Sequence, residues 1–315
     1  MIVDFSNCEL SDRNLQYAGR AGEKRGIIYN NEYWFLKFPK NTLGMNRTGT
    51  LSYVTSPLSE YIGSHIYKIL GYDVHETILG VCFDGKRYKV VCACKDFVED
   101  SKSEMLIPYT ALRNDTNEVV MNRNDDNIVS ASNLNEIMFQ LDNNTVLSKM
   151  PDAKERFWDV VVVDYLINNN DRNEDNWGVI KNLKDNTYKL SPIYDCGNCF
   201  YSKTDDDRIS LIMSDEKRLN DSSINCITAY EDDDGNNIRF LDLLKSNNKD
   251  LLNSIQRVLN ILKNKETEIL DFVTGINNEY KDVIVTSDIR KEYYLKTFEI
   301  RTNTLKDYIN KSNLL

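Results

Sequence analysis

Two carboxylates and a carboxamide in the second half of the chain are of the residue types that metal-assisted group transfer requires: Asp171, Asn176 and Asp195. An amide oxygen and a carboxylate are good ligands for a hard cation such as Mg²⁺, which takes few protein ligands and completes its shell with water and phosphate. A second carboxylate beside that ion can accept a proton from an attacking hydroxyl, or orient it. These residue types therefore indicate phosphoryl transfer.

A predicted hairpin would bring the two metal ligands together. Asp185 and Asn186 tolerate the left-handed backbone of a two-residue turn. With that turn, Asn176 and Asp195 stand opposite each other at the open end of the hairpin, and opposite residues have Cβ atoms about 4.5–5.5 Å apart. Asp171, at a helix end, would lie beside the shared cation. The two strands are predicted at 177–184 and 187–194.

The chain is rich in asparagine, and this allows a second interpretation of residues 170–178. In a chain with runs such as Asn168, Asn169 and Asn170, short polar clusters arise by chance. Residues 170–178 can then be a solvated turn that follows a helix. The predicted hairpin, which brings a distant aspartate to this cluster, favours the functional interpretation.

The elements that precede these residues begin with another predicted hairpin. Because lysine is seldom buried, Lys37 on its second strand can be a plain exposed residue. Its apolar neighbours Leu36 and Phe38 favour a functional position instead. The strands of this hairpin are predicted at 25–29 and 33–38.

A helix is predicted next, with Ser56 as its N-cap, Pro57 at the first helical position and Gly71 at the C-terminal end. Glu60 falls in its first turn, where the helix dipole alone favours an acid. Two more strands are predicted around an Asp-Gly turn, at 77–83 and 87–93.

The second part of the chain has mainly helical periodicity. Asp152 can cap a helix that runs to about Asn168, a polar stretch at 200–235 is predicted as a long mobile loop, and a final helix is predicted at about 288–311. Residues 94–97 are a candidate connection between two lobes. We therefore predict an α+β fold with a β-rich small lobe at 1–96 and a mainly helical large lobe at 97–315.

The bulk composition excludes some classes of function. A net charge of −10 argues against direct nucleic-acid binding, and no stretch approaches the roughly 20 apolar residues of a membrane span. The N-terminus lacks a signal-peptide pattern, so we expect a cytoplasmic protein, with export by a signal-less route left open. Cys196 and Cys199 have the spacing of a zinc or redox site, but a zinc site normally needs a second pair or a nearby histidine motif.

The sequence resembles the HipA-like serine/threonine protein kinases. Protein-kinase-like enzymes carry an Asp, an Asn five residues later and a second Asp after a hairpin, and this family has Tyr-Asp in place of Asp-Phe-Gly, as at Tyr194 and Asp195. The segments GRAGEK and YNNEYWFLKFP are most similar to its CtkA branch. The resemblance spans about 15–200. It implies a two-lobed protein-kinase-like fold, ATP and Mg²⁺ as cofactors, and γ-phosphoryl transfer to Ser/Thr hydroxyls, including autophosphorylation.

The resemblance also implies roles for single residues. Asp171 matches the catalytic aspartate, and Asn176 and Asp195 match the metal ligands. Lys37 matches the strand lysine that contacts the nucleotide phosphates, and Glu60 matches the helix glutamate that orients this lysine, which requires the two to be in contact. The other nucleotide-binding positions belong to a phosphate loop and an adenine-binding segment: Gly19, Gly22, Lys24, Lys95 and Phe97.

One departure from the family keeps alternatives open. Asn173 stands where relatives often carry His. A lipid or small-molecule kinase is one alternative, and a catalytically dead nucleotide-binding module that acts by contacting a partner is another. The resemblance implies a protein substrate and an antitoxin-like or regulatory protein partner.

Overall fold

The computed structural model describes residues 2–13, 23–40, 54–98, 100–113 and 130–312. The N-terminal part is a six-stranded sheet in which the spatial order is β1-β5-β6-β4-β3-β2. Neighbouring strands are antiparallel except β1 and β5, which are parallel. Its strands are β1 (Val3–Asp4), β2 (Glu9–Leu10), β3 (Lys24–Tyr29), β4 (Glu32–Lys37), β5 (Thr77–Phe83) and β6 (Tyr88–Lys95).

The hairpin of β3 and β4 follows directly from its turn residues. Asn30 and Asn31 have φ values of 52° and 62°, a left-handed conformation that asparagine tolerates better than most residues. The predicted hairpin is therefore confirmed, with Glu32 added to the second strand. Lys37, the last residue of β4, pairs with Lys24 on one side and with Cys92 of β6 on the other.

Helix α1 (Ser56–Ile69) packs against this sheet. Pro57 lies in its first turn, and Gly71 follows its end with a φ of 89°. Leu58 and Ile66 are at most 1% exposed. The predicted N-cap is wrong by one residue, because the capping position is Thr55; its N–H and hydroxyl both donate to the carbonyl of Ser202.

The C-terminal part is mainly helical and is built around the helix Ala153–Ile167 (α3), which is buried on several faces. Val161, Val162 and Val163 are at most 2% exposed. Asn168 ends this helix in a left-handed conformation with a φ of 52°. No helix among the described residues is both long enough and apolar enough to cross a membrane. The helices are α2 (Leu134–Asn143), α3 (Ala153–Ile167), α4 (Asp206–Met213), α5 (Glu216–Ile224), α6 (Phe240–Lys245), α7 (Lys249–Leu262), α8 (Glu266–Thr274) and α9 (Asp288–Ser312), with a 3₁₀ turn at Leu147–Lys149.

Short strands complete the C-terminal part. One three-stranded sheet has the order β7-β8-β9, and two further pairs, β10 with β11 and β12 with β13, are antiparallel. The sequence analysis did not predict β7. These strands are β7 (Glu104–Pro108), β8 (Gly178–Asn182), β9 (Tyr188–Leu190), β10 (Ile227–Glu231), β11 (Asn237–Arg239), β12 (Glu279–Tyr280) and β13 (Val283–Ile284).

The predicted mobile loop at 200–235 is wrong, because two helices and a strand occupy most of it. Asp205 caps α4 by accepting a hydrogen bond from the N–H of Arg208, and Asp215 caps α5 in the same way from Arg218. Both aspartates are thus helix caps in a stretch that was predicted as a loop. Asp206, in the first turn of α4, forms an ion pair with the buried side chain of Arg290.

The register predicted for the β8–β9 hairpin is also wrong, by two residues. Val179 pairs with Leu190, and the turn is a four-residue loop closed by a hydrogen bond from the N–H of Asn182 to the carbonyl of Thr187. The side chain of Asp185 accepts hydrogen bonds from the N–H and hydroxyl of Thr187, which is an Asx turn. This local turn lengthens the loop, so Asn176 and Asp195 are not opposite residues of one ladder.

Candidate functional site

Lys37 lies between two carboxylates at the centre of the candidate site. Its Nζ is 2.8 Å from Oε2 of Glu60 on α1 and 2.7 Å from Oδ1 of Asp195. The contact that the resemblance requires between Lys37 and Glu60 is therefore present. The side chain of Glu60 is fully buried, that of Lys37 is 14% exposed and that of Asp195 is 28% exposed. The three residues form a charged row that leads from the core to the surface.

The charges in this row stabilise one another. Burial alone would lower the pKa of Lys37, but the carboxylates of Asp195 and Glu60 outweigh it and hold this pKa well above its ordinary value. Burial alone would raise the pKa of Glu60, but Lys37 and His75 outweigh it and hold the carboxyl ionised. The site therefore presents a permanently charged ammonium group to any ligand.

Asp171 and Asn176 are brought together by the loop that follows α3. The side-chain Nδ2 of Asn176 donates to the backbone carbonyl of Asp171 at 2.6 Å, which leaves Oδ1 as the ligating atom of this amide. Asn173 donates to Oδ1 of Asp171 at 3.2 Å. Desolvation raises the pKa of Asp171 above its ordinary value; Asn173 lowers this pKa, and the charge of Asp195 raises it further.

Arg172 joins this loop to the segment that carries Asp195, a role that was not predicted from the sequence. Its guanidinium donates to the carbonyls of Asn176, at 3.2 Å, and of Tyr194. The side chain of Arg172 is only 2% exposed and forms a bidentate ion pair with Asp164 of α3. Arg172 thus does what the predicted hairpin register was expected to do: it holds the backbones next to Asn176 and Asp195 side by side.

A sequence signal for Arg172 was present in α3. Asp164 follows four consecutive valines in a helix that is otherwise apolar at this end, and a buried carboxylate requires partners. Its oxygens accept hydrogen bonds from Tyr67, Asn169 and Arg172. The acid in the apolar helix therefore predicts a buried cation, and the arginine beside Asp171 is that cation.

The remaining predicted nucleotide-binding residues fall in three places. Lys24 begins β3 opposite Lys37, and burial, with the charge of Lys37, lowers the pKa of Lys24. The ring of Phe97 is 5.4 Å from that of Tyr194. The N–H of Lys95 donates to the carbonyl of Glu76 inside the sheet, and its ammonium group pairs with Glu32. The predicted phosphate-loop glycines lie outside the described residues: Gly19 and Gly22.

Cys196 and Cys199 are buried against α1. A Cβ at Gly63 would lie 2.7 Å from Cβ of Cys196 and 2.8 Å from Sγ of Cys199, so the helix approaches this segment as closely as glycine allows. Burial raises the pKa of Cys196 to about 12. Within the described part of the chain, neither cysteine belongs to a cluster of metal-binding side chains, which favours packing over zinc binding.

Together these contacts supply a cation, a carboxylate that can accept a proton and two oxygen donors for a hard metal. Lys37 contacts Asp195, and Asn176 contacts Asp171. Such a set can bind phosphates, neutralise their charge and orient a hydroxyl towards them.

Comparison with known proteins agrees with this geometry. No protein-family model matches the chain. Serine/threonine-protein kinase CtkA of Helicobacter pylori is 32% identical to it over 284 residues, which cover 88% of this chain and 82% of that protein. The crystal structure of a Helicobacter pylori proinflammatory kinase CtkA matches with a TM-score of 0.81 at 28% identity, and covers 99% of this chain and 98% of that one.

A more distant structure shares the fold. HipA of Shewanella oneidensis, solved as a toxin–antitoxin complex with HipB and operator DNA, matches with a TM-score of 0.54 at 13% identity, and covers 93% of this chain and 67% of that one. The predicted α+β kinase-like fold, with a β-rich small lobe and a mainly helical large lobe, is therefore confirmed.

Proposed function

Because this chain belongs to the CtkA family of serine/threonine protein kinases, we propose that it transfers the γ-phosphoryl group of ATP, with Mg²⁺, to serine and threonine hydroxyls. The acceptors are proteins, its own chain included. The observation that carries the proposal is the position of Lys37, held between Glu60 at 2.8 Å and Asp195 at 2.7 Å. An ammonium group fixed in this way can bind nucleotide phosphates without first having to be ordered.

Lys37 acts on the phosphates by charge. Its buried partner, Glu60, fixes the direction of the side chain, and its other partner, Asp195, lies nearer the surface. Because both contacts exist before a ligand binds, little reorganisation is needed when the phosphates arrive. Preorganised charge of this kind supplies much of the rate in phosphoryl transfer, which asks little covalent chemistry of the protein.

The residues present fit a magnesium ion. Asn176 donates through its nitrogen to Asp171 and so offers its oxygen, and Asp195 offers a carboxylate. An amide oxygen and a carboxylate are hard donors of the kind that Mg²⁺ prefers, and a site with few protein ligands leaves room for phosphate oxygens. When bound, the ion would neutralise charge that develops on the transferred group.

Asp171 is the residue that receives the acceptor hydroxyl. Its carboxyl lies beside the proposed metal ligands, with one oxygen accepting a hydrogen bond from Asn173. The pKa of Asp171 is raised by desolvation in the cleft, and a carboxylate with a raised pKa is a stronger proton acceptor. It can therefore orient the hydroxyl in line and take its proton as the new bond forms.

The nucleotide base would lie near Phe97 and Tyr194, whose rings are 5.4 Å apart between β6 and the segment of Asp195. The other residues that the proposal assigns to nucleotide binding are Gly19, Gly22, Lys24 and Lys95. HipA of Shewanella oneidensis was solved together with HipB. By analogy, we keep a regulatory or antitoxin-like protein partner for this chain as a prediction.

The experiment is a transfer assay with purified protein, radiolabelled ATP and Mg²⁺, alone and with generic protein acceptors. We expect label on serine or threonine, loss with Asp171→Ala or a chelator, and no change with Asp207→Ala, an exposed aspartate on α4. Nucleotide binding without transfer would support a catalytically dead module. Transfer only to a lipid or a metabolite would contradict the proposed protein substrate.

A further inference from the structure

The two oxygens of Glu60 have different partners. Oε2 accepts from Lys37 at 2.8 Å, whereas Oε1 lies 3.0 Å from Nε2 of His75. Glu60 is fully buried and His75 is 3% exposed. No well-aligned hydrogen bond reaches Oε1 within the described residues. The imidazole 3.0 Å away is the group placed to hold this oxygen, and through Glu60 the direction of Lys37.

The hydrogen of the imidazole can be assigned from its second neighbour. Nε2 of His75 also lies 3.2 Å from the hydroxyl of Ser64, one turn beyond Glu60 on α1. The Ser64 hydroxyl donates its only hydrogen to the backbone carbonyl of Glu60 at 2.6 Å, so it can only accept from His75. Both neighbours of Nε2 are thus acceptors, and Nε2 carries the hydrogen.

The backbone of His75 is fixed to the segment of Asp195. Its N–H donates to the carbonyl of Ile193 at 3.0 Å, and the N–H of Ile193 donates to the carbonyl of Asp73 at 2.9 Å. Val74 and Ile193 form a parallel bridge. Since Ile193 is two residues before Asp195, His75 contacts both chain segments that supply the partners of Lys37.

Among the described residues, one further side chain belongs to this buried group. Cys94 is the other side chain in this buried group, and the candidate ligating atoms of Glu60, His75 and Cys94 all lie within 4.8 Å of one another. A thiol is a weak donor and cannot replace an imidazole N–H. Loss of the His75 donor would therefore leave Oε1 of Glu60 poorly satisfied in a dry site.

We propose that His75 is a positioning residue for phosphoryl transfer: it holds Glu60 by its second oxygen, so that the first oxygen keeps Lys37 directed at the nucleotide phosphates. The inference rests on the proposed function, because it concerns the same site. His75 does not touch the substrate, and its effect passes through Glu60. The sequence analysis assigned it no role, since no motif accompanies it.

The test compares His75→Gln with His75→Met in the full chain. The two side chains have similar length and volume, but glutamine keeps an N–H donor near the position of Nε2 and methionine does not. With ATP as the varied substrate, we expect His75→Met to lower kcat/KM about tenfold or more, a loss of about 1.4 kcal/mol of transition-state stabilisation, and His75→Gln to keep most of it.

The same variants are then made in a Glu60→Gln background. If His75 acts through Glu60, His75→Met adds less than about twofold to the loss that Glu60→Gln already causes. Thermal unfolding of every variant separates a loss of folded protein from a loss of position. Should His75→Met fail to fold, Ser64→Ala takes its place, because it removes the competitor of Glu60 for the imidazole N–H while keeping the helix. We then expect kcat/KM to be kept or raised, and a fall of about tenfold or more would overturn the proposal.

The outcomes are distinct. Equal activity of His75→Met and the unchanged chain would overturn the proposal, and so would full additivity with Glu60→Gln. Equal losses of kcat/KM in His75→Gln and His75→Met would also overturn it, because the packing of the histidine ring, and not its N–H donor, would then be the property that matters. The unchanged chain could bind a fluorescent ATP analogue without transferring a phosphoryl group, or could do neither. Either result would contradict the proposed function and would not bear on the position of His75.

Discussion

Lys37 and Asp195 are in direct contact at 2.7 Å although 158 positions separate them in the chain. One ends strand β4 of the N-terminal sheet, and the other follows the β8–β9 hairpin in the C-terminal part. The contact therefore joins the N-terminal sheet to the C-terminal part of the chain.

Removal of the lysine should affect both activity and stability. Lys37→Met is expected to abolish measurable transfer and to lower the free energy of unfolding by about 3 kcal/mol, because Glu60 is left buried without its cation. Urea denaturation and the labelled-ATP assay measure the two effects. As a control, Lys189→Met removes an exposed lysine that pairs with Glu104 at 3.2 Å and should change stability by at most about 0.5 kcal/mol. Equal stability of the two variants would contradict the structure.

Asp171→Asn should separate activity from stability. Transfer is expected to fall about 10²–10⁴-fold, since the proton acceptor is lost. The raised pKa of Asp171 means that the folded state holds this proton more tightly than the unfolded state does. The stability that protonated Asp171 contributes is complete at low pH and is lost as the pH rises through the raised pKa of this group. At pH values above the raised pKa, asparagine should therefore raise the unfolding midpoint.

The same group predicts the pH dependence of the reaction. Transfer by the unchanged chain should increase as the pH rises through the raised pKa of Asp171 and level off above it, because only the carboxylate accepts a proton. The residual activity of Asp171→Asn should not show this increase with pH. If both proteins show the same increase, another group is responsible for it.

Arg172→Met tests the connection between the catalytic loop and the segment of Asp195. We expect a loss of about 3–5 kcal/mol, because Asp164 remains buried without its cation and the carbonyls of Asn176 and Tyr194 lose their donor. Arg239→Met is the control, since Arg239 is 57% exposed and pairs only at the surface with Asp242. A loss no larger than that of the control would show that the loop is held by other contacts.

Gly63→Ala tests the close approach of α1 to Cys196 and Cys199. Alanine in place of a glycine inside a helix usually stabilises it by about 0.5–1 kcal/mol. Here the new Cβ would lie 2.7 Å from Cβ of Cys196, so we expect destabilisation by about 1–3 kcal/mol. The sign of the change in a denaturant titration decides the point. Lys68→Ala, at an exposed position of the same helix, serves as control and should stay within about 0.5 kcal/mol.

Much of the fold could be predicted because it depends on local residues. Asn30 and Asn31 determine the first hairpin through their backbone preferences, and Pro57 and Gly71 mark the ends of α1. The resemblance to HipA-like kinases and their CtkA branch, drawn from short segments, is confirmed. The roles assigned to individual site residues stay predictions.

What the sequence did not predict depends on contacts that are not local. The register of the second hairpin followed from the side-chain hydrogen bonds of Asp185, which favour a longer loop than residue type alone suggests. Asp205 and Asp215 were not predicted as helix caps, because a cap is recognisable only together with the short helix behind it. His75 could not be placed because its partner lies on another element, and Asp164 in the apolar helix signalled a buried cation without identifying the contacts that Arg172 makes.

The contact of Gly63 with Cys196 and Cys199 also bears on how this kinase can be inhibited. An inhibitor that requires an outward rotation of α1, with Glu60 withdrawn from Lys37, must open a dry interface in which the helix and the 196–199 segment already touch at the limit of packing. Compounds that bind the cleft with α1 in its present position need no such opening. Inhibitors that leave α1 in place should therefore cost less free energy to bind than inhibitors that displace it.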